Sequence, residues 1–286
     1  MSVPQNHHWL PQFFMAPWCG KDGLVQSFYR PYDKVVSRRK SLKSLASEPH
    51  LYTANWRGFN DPLIVERTLQ KLEDSGAKVR KRLLAGEVNE LTFDERESFA
   101  VVVSLLLARR PELLRPHQES AEGYWQTEKH RILSAGHQGA PVSVEEIEKL
   151  DGYFRDSIFI AMIESTATLA RSWLSFPWRV FDVSDGGFNL VLSDRPITMW
   201  GDNGHISCLT LPISPTKIFA AGNFPPQVEI SFLEKFRQSF VLDCIRHQFT
   251  QASRFVIATD NGRNGSYLKV AEMFMHPAET ASSTVI

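Results

Sequence analysis

Ser175-Phe176-Pro177-Trp178-Arg179-Val180-Phe181-Asp182-Val183-Ser184-Asp185-Gly186-Gly187-Phe188-Asn189-Leu190-Val191-Leu192 is the stretch where the chain changes its hydrophobic period. From Asp61 up to Pro177 the pattern is helical. Beyond it, the apolar runs Trp178–Val183 and Phe188–Leu192 flank Ser-Asp-Gly-Gly, which predicts a β-hairpin. Further strands are expected at Ile206–Leu211, Lys217–Ala221 and Arg254–Thr259, with a helix over Ile230–Gln251 between them. Tyr267–Met275 reads as the last ordered element and 277–286 as a frayed tail, leaving a single domain over 1–276.

Toward the N-terminus the signals are helix starts. Ser143-x-x-Glu146 is a capping box that opens a long helical stretch through Ile147, Phe154, Ile158, Met162 and Trp173. Thr92-x-x-Glu95 opens a second, apolar on all sides at Phe99–Ala108 and therefore expected to be central and buried, with Pro111 and Pro116 punctuating its end. Asp61-Pro62 starts a third, whose stripe runs Val65, Leu69, Leu72, Gly76, Val79 and Leu83. The first sixty residues read as extended, with short strands at Phe13–Met15, Leu24–Tyr29 and His50–Trp56 and a basic loop at Arg38–Ser47. Strands, then helices, then strands predict an α+β fold, in which a helical middle packs on a mixed, mainly antiparallel sheet made from N-terminal and C-terminal strands.

Composition narrows the function classes. In 286 residues, 32 Lys and Arg balance 32 Asp and Glu, so no global basic field exists to hold a nucleic acid and any polyanion site is a local patch. Three scattered cysteines, Cys19, Cys208 and Cys244, form neither a zinc motif nor a disulfide framework, and they fit a reducing compartment. Met1–His8 lacks a basic leader and Phe99–Ala108 is too short for a membrane span, so a cytoplasmic protein without membrane contact is expected.

Four segments carry candidate chemistry. Asn6-His7-His8-Trp9-Leu10-Pro11-Gln12-Phe13 gathers amides and imidazoles: His7 and His8 are candidate acid/base groups, Asn6 and Gln12 candidate substrate contacts. A structured N-terminal loop would use the same residues. Glu66 and Glu73, seven apart on one edge of a helical stripe, are candidate metal ligands or flanking surface charges. Arg109-Arg110-Pro111 places guanidinia at a helix end, where they meet the helix dipole or clamp an anion. Ser193-Asp194-Arg195-Pro196 ends an apolar strand with a candidate catalytic carboxylate, Asp194, and a candidate binding hydroxyl, Ser193. Turn chemistry selects the same letters.

Taken together these segments resemble the domain-of-unknown-function 4238 family of bacteria. The likeness runs from Asn6 to Thr259: the Asn-His-His-x-x-Pro-Gln-Phe start, Leu51-Tyr52-Thr53, the helix with Glu66 and Glu73, Arg109–Pro111, Ser193–Pro196 and Pro212–Pro215. It departs at Phe14-Met15-Ala16, where a Leu-Arg pair before an aromatic is expected. The resemblance groups residues and implies no activity.

From the residues, the first expectation is a hydrolase or transferase acting on a phosphate-bearing substrate, a nucleotide or nucleic acid. His7 or His8 would be acid/base, Arg109 an anion clamp with Arg110 beside it, and Asp194 with Glu66 bases or ligands of a divalent metal. The alternative is a non-catalytic ligand-binding or sensor module, as in a bacterial conflict or defence system, and near-neutral charge favours a small ligand over long duplex DNA. If the N-terminal motif and the Asp194 turn form one site, a histidine lies close to Asp194, Arg109 or Glu66. A carboxylate beside an imidazole raises its pKa and makes it a proton donor.

Overall fold

The computed structural model describes residues 6–135, 142–202, 205–223, 231–260 and 263–276. The expected 277–286 tail lies outside these residues. The fold is α+β. The N-terminal third runs β1 (Asn6–His8), α1 (Gln12–Met15), β2 (Leu24–Tyr29), β3 (Val36–Ser41) and β4 (Ser47–Pro49). The helical middle follows as α2 (Ile64–Ala85), α3 (Phe93–Ala108), α4 (Pro111–Ala135), α5 (Val144–Glu148) and α6 (Tyr153–Leu174). The remainder is β5 (Trp178–Asp182), β6 (Leu192–Ser193), β7 (Thr198–Asp202), β8 (His205–Ser214), β9 (Lys217–Gly222), α7 (Ser231–Gln251), β10 (Val256–Ala258) and α8 (Asn264–Phe274).

Among the described residues all strand pairs are antiparallel and form three sheets, ordered β1-β4, β3-β2-β10-β6 and β5-β9-β8-β7. The middle sheet alone joins N-terminal to C-terminal strands. One core holds α2, α3, α6 and the start of α4, the N-terminal segment and the inner faces of β8 and β9. A second lies under α7 and α8 and contains Phe28, Val191, Phe249, Val256 and Tyr267.

The helix signals act as expected. Thr92 and Glu95 exchange both capping-box hydrogen bonds, and Phe99–Ala100 and Val102–Leu106 are buried, which makes α3 the central helix between α2 and α6. Ser143 and Glu146 also form a capping box, but the helix they open stops at Glu148. Gly152 then adopts φ +82°, with a Cβ position only 2.7 Å from the Trp56 nitrogen, so the expected long stretch is two helices hinged on a glycine that no other residue replaces without strain. Pro111 opens α4 and Pro116 lies within it, so these prolines shape the next helix after α3 ends at Ala108.

Four strand-level expectations are corrected. Phe13–Met15 is helical and His50–Trp56 is turn, because the aromatic rings are buried without period-2 alternation. Arg38–Ser41 belongs to β3, an edge strand whose basic residues face solvent beside β2 and leave the edge unattractive to another chain. The 184–187 turn makes no hairpin: β5 pairs with β9, and β6 pairs with β10 in a different sheet. Between them, the Val183 and Leu190 N–H groups bond to Thr216 and Pro215, so the chain crosses the β8–β9 turn instead of doubling back. Thr198–Asp202 adds β7, a strand outside those expectations.

Candidate functional site

β1 lies against β4 with His7 opposite Glu48 and His8 opposite Ser47. Strand alternation sends the two imidazoles to opposite faces, so His7 is fully buried and His8 half-buried, while Asn6 is exposed. His7 Nδ1 accepts the Tyr52 backbone N–H at 2.9 Å, and the His7 ring stacks on the Tyr52 ring. Neutral His7 therefore carries its proton on Nε2. The Tyr52 hydroxyl donates to the Arg109 carbonyl at 3.0 Å, which closes the turn after β4 onto the end of α3. His7 is thus built into the fold.

His8 faces the other way. The amide Nε2 of Gln12 lies 3.3 Å from His8 Nε2. Burial pushes the His8 pKa below its ordinary value, against a hydrogen bond to the Leu42 backbone and the charge of Glu73. The expected upward shift by a carboxylate neighbour is therefore reversed, because desolvation of the imidazolium outweighs Glu73. His8 stands neutral at physiological pH, ready to accept a proton.

Arg109, the residue after α3, is 1 % exposed. Its Nε donates to the Trp9 carbonyl and its Nη1 to Glu73 Oε1, both at 2.6 Å, while Nη2 is buried without a partner. Glu66 stands two turns before Glu73 on α2. Burial, then the charge of Glu73, raises its carboxyl to about 7 against the pull of Arg109. Glu66 and His8 thus border the same Glu73–Arg109 pair: one carboxyl holds its proton near neutrality and one imidazole lacks it.

The metal reading of Glu66 and Glu73 does not fit this arrangement. Glu73 is committed to Arg109, and among the described residues no three His, Cys, Asp or Glu side chains are placed to hold a metal ion. With the guanidinium so neutralised, Arg109 also lacks a free fork for an anion.

Ser193 and Asp194 stand apart from this cluster. Ser193 N and Oγ both donate to Gln248 Oε1 at 2.9 Å. The two Asp194 oxygens accept the Ser253 and Arg254 N–H groups at 3.0 Å each, and the carboxyl is buried. Burial, then the charge of Glu112, raises its pKa to about 6, against the Ser253 N–H hydrogen bond and the charge of Arg195. Ser193 and Asp194 are struts between β6 and the segments around β10. The single constellation expected from sequence is two clusters, one on each side of the Arg109-Arg110 junction.

On the second side, Arg110 Nε donates to the Leu107 carbonyl, and Glu112 Oε1 accepts from Arg195 at 3.0 Å. Arg254 links the two sides: its guanidinium lies over the Trp9 ring, its Nη1 reaches Glu48 at 2.6 Å, and its N–H binds Asp194. Sequence reasoning missed Glu48 and Arg254, which carry no local signal. Tyr52 and Arg195 were inside quoted motifs but unassigned.

A family model described as "Protein of unknown function (DUF4238)" matches residues 6–262. The chain belongs to this family. In this member of the DUF4238 family the match begins at Asn6 and ends beyond β10, so it takes in both clusters and the Arg254 link between them. No curated protein and no solved structure matches the chain.

Proposed function

We propose that this DUF4238 member is a hydrolase or transferase acting on a phosphate-bearing substrate, a nucleotide or nucleic acid, with Glu66 as proton donor and neutral His8 as proton acceptor. The observation that carries the reading is that Glu66 and His8 border one buried Glu73–Arg109 ion pair, where burial and Glu73 raise the Glu66 carboxyl to about 7. A general acid works best when its pKa lies near the working pH. Gln12, 3.3 Å from His8, would orient the substrate, and the Glu73–Arg109 pair would hold Glu66 and His8 in position. His7 and Asp194, locked by backbone hydrogen bonds, position the scaffold and do not react.

The roles set the pH dependence. Activity rises as His8 loses its proton below its ordinary 6.5, and falls as Glu66 loses its own near 7. The test is a turnover screen over nucleotides, oligonucleotides and bis-p-nitrophenyl phosphate from pH 5 to 9. His8→Ala and Glu66→Gln should each cost about 10²-fold or more while Tm stays within a few degrees. One observation favours a second reading, a non-catalytic ligand-binding or sensor module: most of the charged set is spent on internal pairs. Phosphate binding without turnover anywhere in the screen would select it.

A further inference from the structure

The far side of the Arg109-Arg110 junction holds a cavity of about 310 Å³. That is near the lower bound of ordinary small-molecule sites, which start at roughly 300 Å³. Arg110 and Arg195 line it together with Thr250 and Ser253, while Leu107 and Ile197 supply an apolar wall. The two guanidinia share one carboxylate: Glu112 Oε1 lies 3.0 Å from Arg195 and 3.7 Å from Arg110. Among the described residues the other carboxylate acting on Arg110 is Asp194, whose oxygens already accept two backbone N–H groups. Neither Nη nitrogen of Arg110 makes a hydrogen bond to a described residue. Burial, and the neighbouring Arg195, both work against its charge. An anion entering between the two would relieve that repulsion and complete both forks.

We infer that this cavity is a binding site for a small phosphate monoester, its phosphate held by Arg110 and Arg195 and its organic body against Leu107 and Ile197. Ser253 and Thr250 complete the wall, the Thr250 hydroxyl already donating to the Arg246 carbonyl, and the volume suits a small ligand of mononucleotide class. The inference stands on the cavity alone and does not depend on proton transfer at His8.

Titration calorimetry of the full chain with AMP, inorganic phosphate and adenosine tests it. AMP should bind, phosphate more weakly, and adenosine not at all. Arg110→Gln and Arg195→Gln should each weaken AMP at least tenfold, about 1.4 kcal/mol. Glu112→Gln, which frees the guanidinia from their carboxylate, should tighten it. That variant keeps the test sharp if an arginine variant fails to fold. His8→Ala should leave AMP affinity unchanged, so loss of turnover in that variant bears on the catalytic reading alone. Absence of AMP binding by the native chain and by Glu112→Gln overturns the inference. So does affinity indifferent to both arginines, or adenosine binding as tightly as AMP.

Discussion

At the residue scale, buried charge decides most of what the N-terminal cluster does. Arg109 is a buried cation with its carboxylate partner and the Trp9 carbonyl already in place. Removing one partner of such a pair leaves the other uncompensated and costs about 3–5 kcal/mol. Arg109→Ala should therefore lower Tm by on the order of ten degrees, read by calorimetry; a change of a degree or two would mean that the pair is solvated. Glu66 makes a second prediction, through pH. Its folded pKa, about 7, lies above its ordinary 4.5, so its contribution to stability is complete below 4.5 and lost as pH rises through 7. Asp194, raised to about 6, acts in the same direction. Urea midpoints at pH 5 and pH 8 should differ less for Glu66→Gln than for the native chain, since Gln carries no charge to bury. Equal differences would show an ordinary carboxylate. Of these residues the sequence revealed the types and the candidates, because imidazoles and amides beside a proline are conspicuous. It did not reveal that His7 and Asp194 are spent on backbone N–H groups, since their partners Tyr52, Ser253 and Arg254 are remote in sequence.

At the element scale, helices were legible and strand partners were not. Capping boxes and a period of 3.6 are local, so α3 and the start of α5 follow from a few letters each. Strand pairing is a long-range choice. Ser184–Gly187 has the letters of a hairpin turn, yet the same glycines serve a crossing between sheets, and only the distant partners β9 and β10 decide. One helical glycine was legible as a stripe position without its reason. Gly76 faces Val102, whose Cγ2 lies 2.7 Å from where a Cβ would stand. Alanine would gain about 1 kcal/mol of helix propensity, against about 1–3 kcal/mol for overpacking the α2–α3 crossing. Gly76→Ala should be less stable by about 1 kcal/mol, the difference between those terms, and Val102→Ala added to it should recover part of the loss. A higher melting temperature for the single variant would refute the close crossing.

At the scale of the whole molecule, the ends of the chain hold each other. β2 has β3 on one side and β10 on the other, and β10 in turn carries β6. Glu48 on β4 binds Arg254, and Asp194 binds the Ser253 and Arg254 N–H groups, so residues 253–258 knot the first fifty residues to the last strands. A chain ended after Ala252 should lose near-ultraviolet circular dichroism and solubility together, although α2 and α3 are intact in sequence; a soluble fragment with native spectra would contradict it. The same knot sets a timetable for synthesis. Translation delivers β2 long before its second neighbour β10, so over that whole interval the nascent chain carries an open strand edge and an uncovered Phe28. Such a polypeptide cannot finish folding on the ribosome until its last strands emerge. Its yield in a cell will depend on elongation speed and on chaperones that shield that edge, and any stop codon ahead of β10 will act as a null allele.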